Sequence, residues 1–85
     1  MNAMNVRTMT SREFYEALEE VIEANRGTIS GTEAVKGLPG WDSVAVIGFI
    51  AMLDSRLGIS VAADDIVSCL TVADLMKLLG GRIQD

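Results

Sequence analysis

Apolar positions in this chain recur at helical spacing in separate blocks, divided by stretches rich in glycine and polar residues. Phe14, Leu18, Val21 and Ile22 share one side of a helix, with Glu16, Glu19, Glu20 and Glu23 mostly on the other. Thr10-Ser-Arg-Glu13 ahead of them is a capping-box pattern, in which Glu13 reaches back to the Thr10 amide. These signals predict a first helix over residues 11–25 that stops near Gly27. Asp42 is a good N-cap for a second helix, residues 44–57, which Gly58 ends. Asp64 and Asp65 suit the first turn of a brief third helix over residues 63–68. Thr71-Val-Ala-Asp74 opens a fourth, with Leu75, Leu78 and Leu79 as its apolar face and Gly80-Gly81 as its end. Ile59 and Val61 form a β-branched run, but the chain has no partner run, which argues against a sheet. The expected fold is all-α: a four-helix bundle with a short third helix and a long loop between helices one and two.

That loop, residues 26–41, holds four of the eight glycines and the only proline. A connection of this length without its own regular structure is unusual in a compact domain and is often functional. Residues 1–9 are expected to be a flexible N-terminal tail, 10–80 the folded domain and 81–85 a short C-terminal tail. Eighty-five residues make one domain, because neither half could bury a useful core alone.

Composition narrows the chemistry. Aromatic residues are only 5% of the chain, so the core is built from Leu, Ile, Val, Ala and Met, which favours helix on helix. Twelve acidic against seven basic residues give a formal charge of −5, which repels nucleic acid and suits docking onto basic patches of other proteins. There is no histidine, and Cys69 is the single cysteine. An internal disulfide, a zinc site and His-dependent catalysis are thereby excluded, and neither a catalytic residue nor a metal ligand is assigned. Residues 1–9 lack the apolar run of a signal peptide, and the apolar stretch Val44–Leu53 is far too short to span a bilayer. A soluble, monomeric cytoplasmic protein is expected, without membrane insertion.

The segment Leu38-Pro-Gly-Trp-Asp-Ser-Val44, followed directly by an apolar helix, resembles the attachment motif of acyl carrier proteins, usually Asp-Ser-Leu. The match continues without a gap through Leu57-Gly-Ile-Ser-Val61, the Asp64-Asp65 turn and Thr71-Val72 to about Leu79. The tripeptide alone is a weak signal. At this position, in an acidic domain of this length and helix order, it is a strong one. The resemblance implies that Ser43 bears a 4′-phosphopantetheine arm, transferred from coenzyme A by a phosphopantetheinyl transferase. Physical logic agrees, since a phosphodiester on a serine at a helix start meets unpaired amides and the positive end of the helix dipole. The plainer alternative makes Ser43 a second capping residue beside Asp42. Asp42 itself reads as a helix cap worth roughly 0.5–2 kcal/mol, and the resemblance adds a role in recognition by the transferase. Trp41 reads as a loop anchor packed on the bundle. Cys69 stands where the family has an apolar core residue and reads as a small buried hydrophobe.

Winding the second helix at 100° per residue places Val46, Phe49, Ile50, Leu53 and Leu57 on the core face. Val44, Ile47 and Ala51 form a narrower stripe beginning beside Ser43. By resemblance that stripe meets partner enzymes; alternatively it packs on the long loop or the third helix. Ala45, Gly48, Met52, Ser55 and Arg56 fall on the face opposite the core stripe, with Ala45 expected to be exposed. Many fatty-acid-synthesis carriers have several acidic residues along this helix, whereas this one keeps only Asp42 and Asp54.

The function implied is a carrier, not an enzyme. It would hold an acyl group as a thioester on the arm and deliver it to acyl-loading, acyl-transfer or condensing enzymes of fatty-acid, polyketide or other specialised acyl biosynthesis. Two alternatives stay open. One is an aminoacyl or peptidyl carrier, although those usually place Gly-His or Gly-Gly-x before the serine, where this chain has Trp41-Asp42. The other is an unmodified helical interaction module using the Val44, Ile47 and Ala51 stripe.

Overall fold

The computed structural model describes residues 7–85. Four helices follow in order: α1 (Ser11–Val21), α2 (Ser43–Leu57), α3 (Ala63–Val67) and α4 (Val72–Lys77), with single 3-10 turns at Val35–Gly37 and Gly80–Arg82. Among the described residues the only β-type pairings are two isolated bridges, Met9 with Ile83 and Ala34 with Thr71. The fold is all-α, as the helical spacing predicts.

Helix starts lie where local chemistry puts them. The Thr10 hydroxyl accepts the Glu13 amide at 3.1 Å while the Glu13 carboxylate accepts the Thr10 amide at 2.8 Å. Thr71 and Asp74 repeat the same reciprocal box at α4. Asp42 caps α2 through the Ala45 amide at 2.9 Å, and Gly58 closes that helix in the left-handed conformation, φ 69°.

The end of α1 departs from the predicted Asn25. Helix geometry stops at Val21, because Glu23 adopts φ 59° and the Ala24 amide turns back onto the Glu19 carbonyl at 2.8 Å. Glu19, expected on the solvent side, is buried. One of its carboxylate oxygens accepts the amides of Gly27 and Ile29, at 3.1 and 2.9 Å, so it fastens the start of the long loop to α1.

The loop is not loose. Glu33 gathers the amides of Ser30 and Gly31 and the Ser30 hydroxyl. Beyond it, Val35 donates to the Leu70 carbonyl at 2.9 Å and Val72 to the Glu33 carbonyl at 3.0 Å, which pins the loop across the α3–α4 junction. Leu38 to Trp41 then forms a tight turn, with the Trp41 amide on the Leu38 carbonyl at 3.1 Å. Gly40 is required there: it sits at φ +88°, and a Cβ would lie 2.5 Å from the Ile22 carbonyl.

Phe14, Leu18, Phe49, Leu53, Ile66 and Leu75 are fully buried at the centre of the core. Phe49 makes edge-on contacts with Phe14 and Trp41, centroids 5.9 and 6.0 Å apart. On α2 the buried positions are Ala45, Phe49, Leu53 and Leu57, while Val46 and Ile50 are half-buried beside them. The expectation for Ala45 is therefore corrected: it is 4% exposed. α1 packs on the Ala45, Gly48 and Met52 side, where a Cβ at Gly48 would stand 3.7 Å from Val21 Cγ1. Small residues there admit the neighbouring helix closely, which rotates the buried face toward it.

The described part of the expected tails is also corrected. Met9 is 3% exposed, donates to the Arg82 carbonyl at 2.8 Å and accepts from the Gln84 amide at 2.9 Å. Asp85 receives both the amide and the hydroxyl of Ser11. The rest of the expected N-terminal tail, residues 1–6, lies outside the described residues.

These carboxylates make stability depend on acid. Burial pushes the Glu33 carboxyl up, but the backbone amides and the Ser30 hydroxyl together hold it below its ordinary value. The amides of Thr71 and Leu70 lower Asp74, and the Ser11 hydroxyl and amide lower Asp85. A depressed folded-state value contributes stability that is complete above the unfolded value and is lost as pH falls through the folded one. The urea midpoint is therefore expected to be flat down to about pH 5 and to fall below the ordinary carboxylate range near pH 4. Glu33→Gln should lower the neutral-pH midpoint and make the acid decline shallower; a decline parallel to wild type would remove Glu33 from this account.

Candidate functional site

The Leu38–Trp41 turn delivers Asp42 in extended conformation, φ −140° and ψ −172°, and α2 begins at the next residue. Trp41 is half-buried, its ring edge-on to Phe49, so the turn is anchored to the core as its sequence suggests. One Asp42 carboxylate oxygen is engaged by the Ala45 amide. Ser43 is exposed, and among the described residues its hydroxyl makes no hydrogen bond. The amides of Ser43 and Val44, in the first turn, have no intrahelical partner by position. An exposed hydroxyl thus stands at the positive end of a 15-residue helix.

Beside it opens a cleft of about 280 Å³. Trp41, Val46, Ile66, Val67 and Cys69 supply its apolar walls, and Lys36 stands with Asp42 and Ser43 as its polar lining. Cys69 is buried, its thiol on the Asp65 carbonyl at 3.4 Å. Burial first, then the charges of Asp74 and Asp65, push that thiol up, so it is kept protonated and acts as the small hydrophobe its position implies. A larger cleft of about 560 Å³ lies between α1 and the beginning of the long loop, lined by Arg12, Tyr15, Glu19 and Arg26. It contains neither Ser43 nor any other residue of α2, so size does not identify the site here.

Of the other residues singled out from the sequence, Val44 is 74% and Ile47 67% exposed, and Ala51 is exposed as well. They do not pack on the loop or on α3. Val67 of α3 and Leu70 beyond it are further exposed apolar residues that periodicity did not single out, because α3 is too short to show a pattern. Nothing in the spacing of one lysine seven residues ahead of Ser43 signals that Lys36 and Ser43 line one cleft.

The chain has no histidine, and the Asp42 carboxylate is engaged in capping. Among the described residues no group of His, Cys, Asp or Glu is placed to hold a metal ion, and no helix is long and apolar enough to cross a membrane.

A family model described as a phosphopantetheine attachment site matches residues 12–79. No curated protein and no solved structure gives a significant match to the chain. The residues present fit the group that this family carries: a free serine hydroxyl, unpaired amides to receive a phosphodiester, and an apolar cleft alongside. A match over most of the chain, on an all-α fold, means that the chain belongs to the phosphopantetheine-attachment family of carrier proteins, which bear 4′-phosphopantetheine covalently on a serine.

Proposed function

We propose that Ser43 is the serine that carries the arm and that the protein is an acyl carrier rather than an enzyme. The observation that carries this reading is the exposed Ser43 hydroxyl, without a hydrogen bond among the described residues, at a helix start already capped by Asp42. Because Asp42 alone satisfies the Ala45 amide, Ser43 has no capping task to explain it. When attached, the arm supplies a terminal thiol on which acyl groups travel as thioesters; the protein supplies attachment and recognition. Asp42 is proposed to hold the helix start in place and to be read by the phosphopantetheinyl transferase. Val44, Ile47 and Ala51 are proposed to meet acyl-loading, acyl-transfer or condensing enzymes, with the protein a cytoplasmic monomer. Trp41-Asp42 before the serine favours acyl over aminoacyl or peptidyl cargo. Intact mass of protein from its native host tests this: one phosphopantetheinyl group at Ser43, loaded with an acyl chain, is expected. An aminoacyl load would move the protein to the second carrier class, and an unmodified serine would leave an interaction module.

The outer face of α2 further favours a dedicated pathway over general fatty-acid synthesis. Between Ser43 and Ala51 it exposes Val44 and Ile47 and no charge. Association through such a face rests on packing, with little electrostatic steering. Affinity for the cognate enzyme is expected to change less than about threefold between 0.1 and 1 M salt, although screening lengths shrink from about 10 to about 3 Å. Turnover by housekeeping fatty-acid enzymes equal to that of their ordinary carrier, falling steeply with salt, would restore the plain fatty-acid reading.

A further inference from the structure

We propose that Lys36 is a positioning residue for the arm's phosphodiester, holding the attachment end against the cleft mouth. This rests on the reading that Ser43 carries the arm. Three observations place the lysine. Its turn is held on both sides, by Val35 on the Leu70 carbonyl at 2.9 Å and Leu38 on the Val35 carbonyl at 3.1 Å. Val35 is buried and Lys36 exposed, so the backbone is anchored while the ammonium is in water. Lys36 and Ser43 line one and the same cleft, where among the described residues Lys36 is the single cation and Asp42 the single anion.

Among the described residues the ion pairs engage Arg26 and Lys77, not Lys36. Asp42 has one carboxylate oxygen committed to the Ala45 amide. Attachment replaces a neutral hydroxyl by an anion one residue from that carboxylate, so two negative charges share one helix end. The helix dipole and the amides of Ser43 and Val44 offset part of that repulsion. A lysine on a flexible four-carbon stem, with three donors, is suited to offset more. In the apo protein the anion lining that cleft is Asp42, already engaged through one oxygen by the Ala45 amide; attachment adds a second negative charge, and the contribution tested is the change on modification.

The test compares apo and modified protein for wild type, Lys36→Gln, Lys36→Arg and Lys77→Gln, the last removing the same charge elsewhere. Each is modified with coenzyme A and a phosphopantetheinyl transferase, then melted at low salt without any partner enzyme. The change in Tm on modification is expected to be less favourable in Lys36→Gln than in wild type by about 1–4 °C, as for an exposed ion pair in a domain of this size. Lys36→Arg and Lys77→Gln should keep the wild-type change, and 1 M salt should erase the difference. The 31P resonance should move in Lys36→Gln and not in Lys77→Gln. An equal change on modification in wild type and Lys36→Gln, with an unmoved 31P resonance, overturns the proposal alone. Failure of Lys36→Gln to be modified, with Lys36→Arg accepted, would place the charge against the transferase and also overturns it. A wild type that takes no group at Ser43 overturns the attachment reading, and this proposal with it.

Discussion

Ser43→Ala is expected to accept no phosphopantetheinyl group from coenzyme A under conditions that modify the wild type once per chain. In that reaction the serine oxygen bonds the pantetheine phosphorus, the P–O bond inside the diphosphate breaks, and adenosine 3′,5′-bisphosphate leaves as the hydroxyl proton is lost. Among the described residues no second unbonded hydroxyl stands at the first position of a helix. The Ser11 hydroxyl is held by Asp85, Ser30 by Glu33 and Ser68 by the Asp65 carbonyl. Thr10 and Thr71 accept amides in their capping boxes. Because Asp42 continues to cap α2 through Ala45, the variant should fold as the wild type does, with denaturant midpoints shifted by at most about 0.5 kcal/mol. The effect on modification is then all or none, without a fold defect to confuse it. Intact mass before and after incubation, with peptide mapping of the modified site, is the measurement. A modified Ser43→Ala protein, or a wild type that never gains mass, would end the attachment reading.

Phe49→Ala is expected to cost the apo protein about 3–5 kcal/mol, against a total of about 5–15 kcal/mol for a small domain. Phe49 is fully buried, and two aromatic neighbours meet its ring edge-on, Phe14 from α1 and Trp41 from the turn ahead of Ser43. Each such pair adds about 0.5–1.5 kcal/mol beyond the area buried. The substitution therefore loosens the α1–α2 contact and the wall of the cleft together. Trp41 is the only tryptophan, so its fluorescence reports directly on that wall. Urea melts followed by circular dichroism and by tryptophan emission should both shift to low denaturant. Ile47→Ala, two residues away on the exposed outer face, should cost no more than about 0.5 kcal/mol. Comparable losses in the two variants would show that the faces of α2 are assigned wrongly.

The helix starts, the all-α class and the Ser43 motif are legible in the sequence by itself because each is a local matter. Thr10 with Glu13, Asp42 with Ala45 and Thr71 with Asp74 satisfy helix-end amides within three residues, so neighbours along the chain suffice to specify them. The serine at the α2 start belongs with these, since its cap, its turn and its exposure all follow from Leu38 to Val44. Contacts between distant segments decided the rest. Glu19 looks like one more solvated glutamate until the amides of Gly27 and Ile29 fold onto it. Ala45 looks exposed on a helical wheel until α1 lies against the small residues beside it, which turns the buried face toward Gly48. Met9 and Ile83 look like tails until the fold of the intervening chain brings them together as a bridge. Lys36 lines the cleft beside Ser43 because the long loop is pinned across the α3–α4 junction by Val35 and Val72. Periodicity reports how one segment divides its own polar and apolar positions. Which side a neighbour covers, and which buried polar group it supplies with a partner, depends on backbone amides and side chains dozens of residues away, and those only the tertiary structure brings within reach.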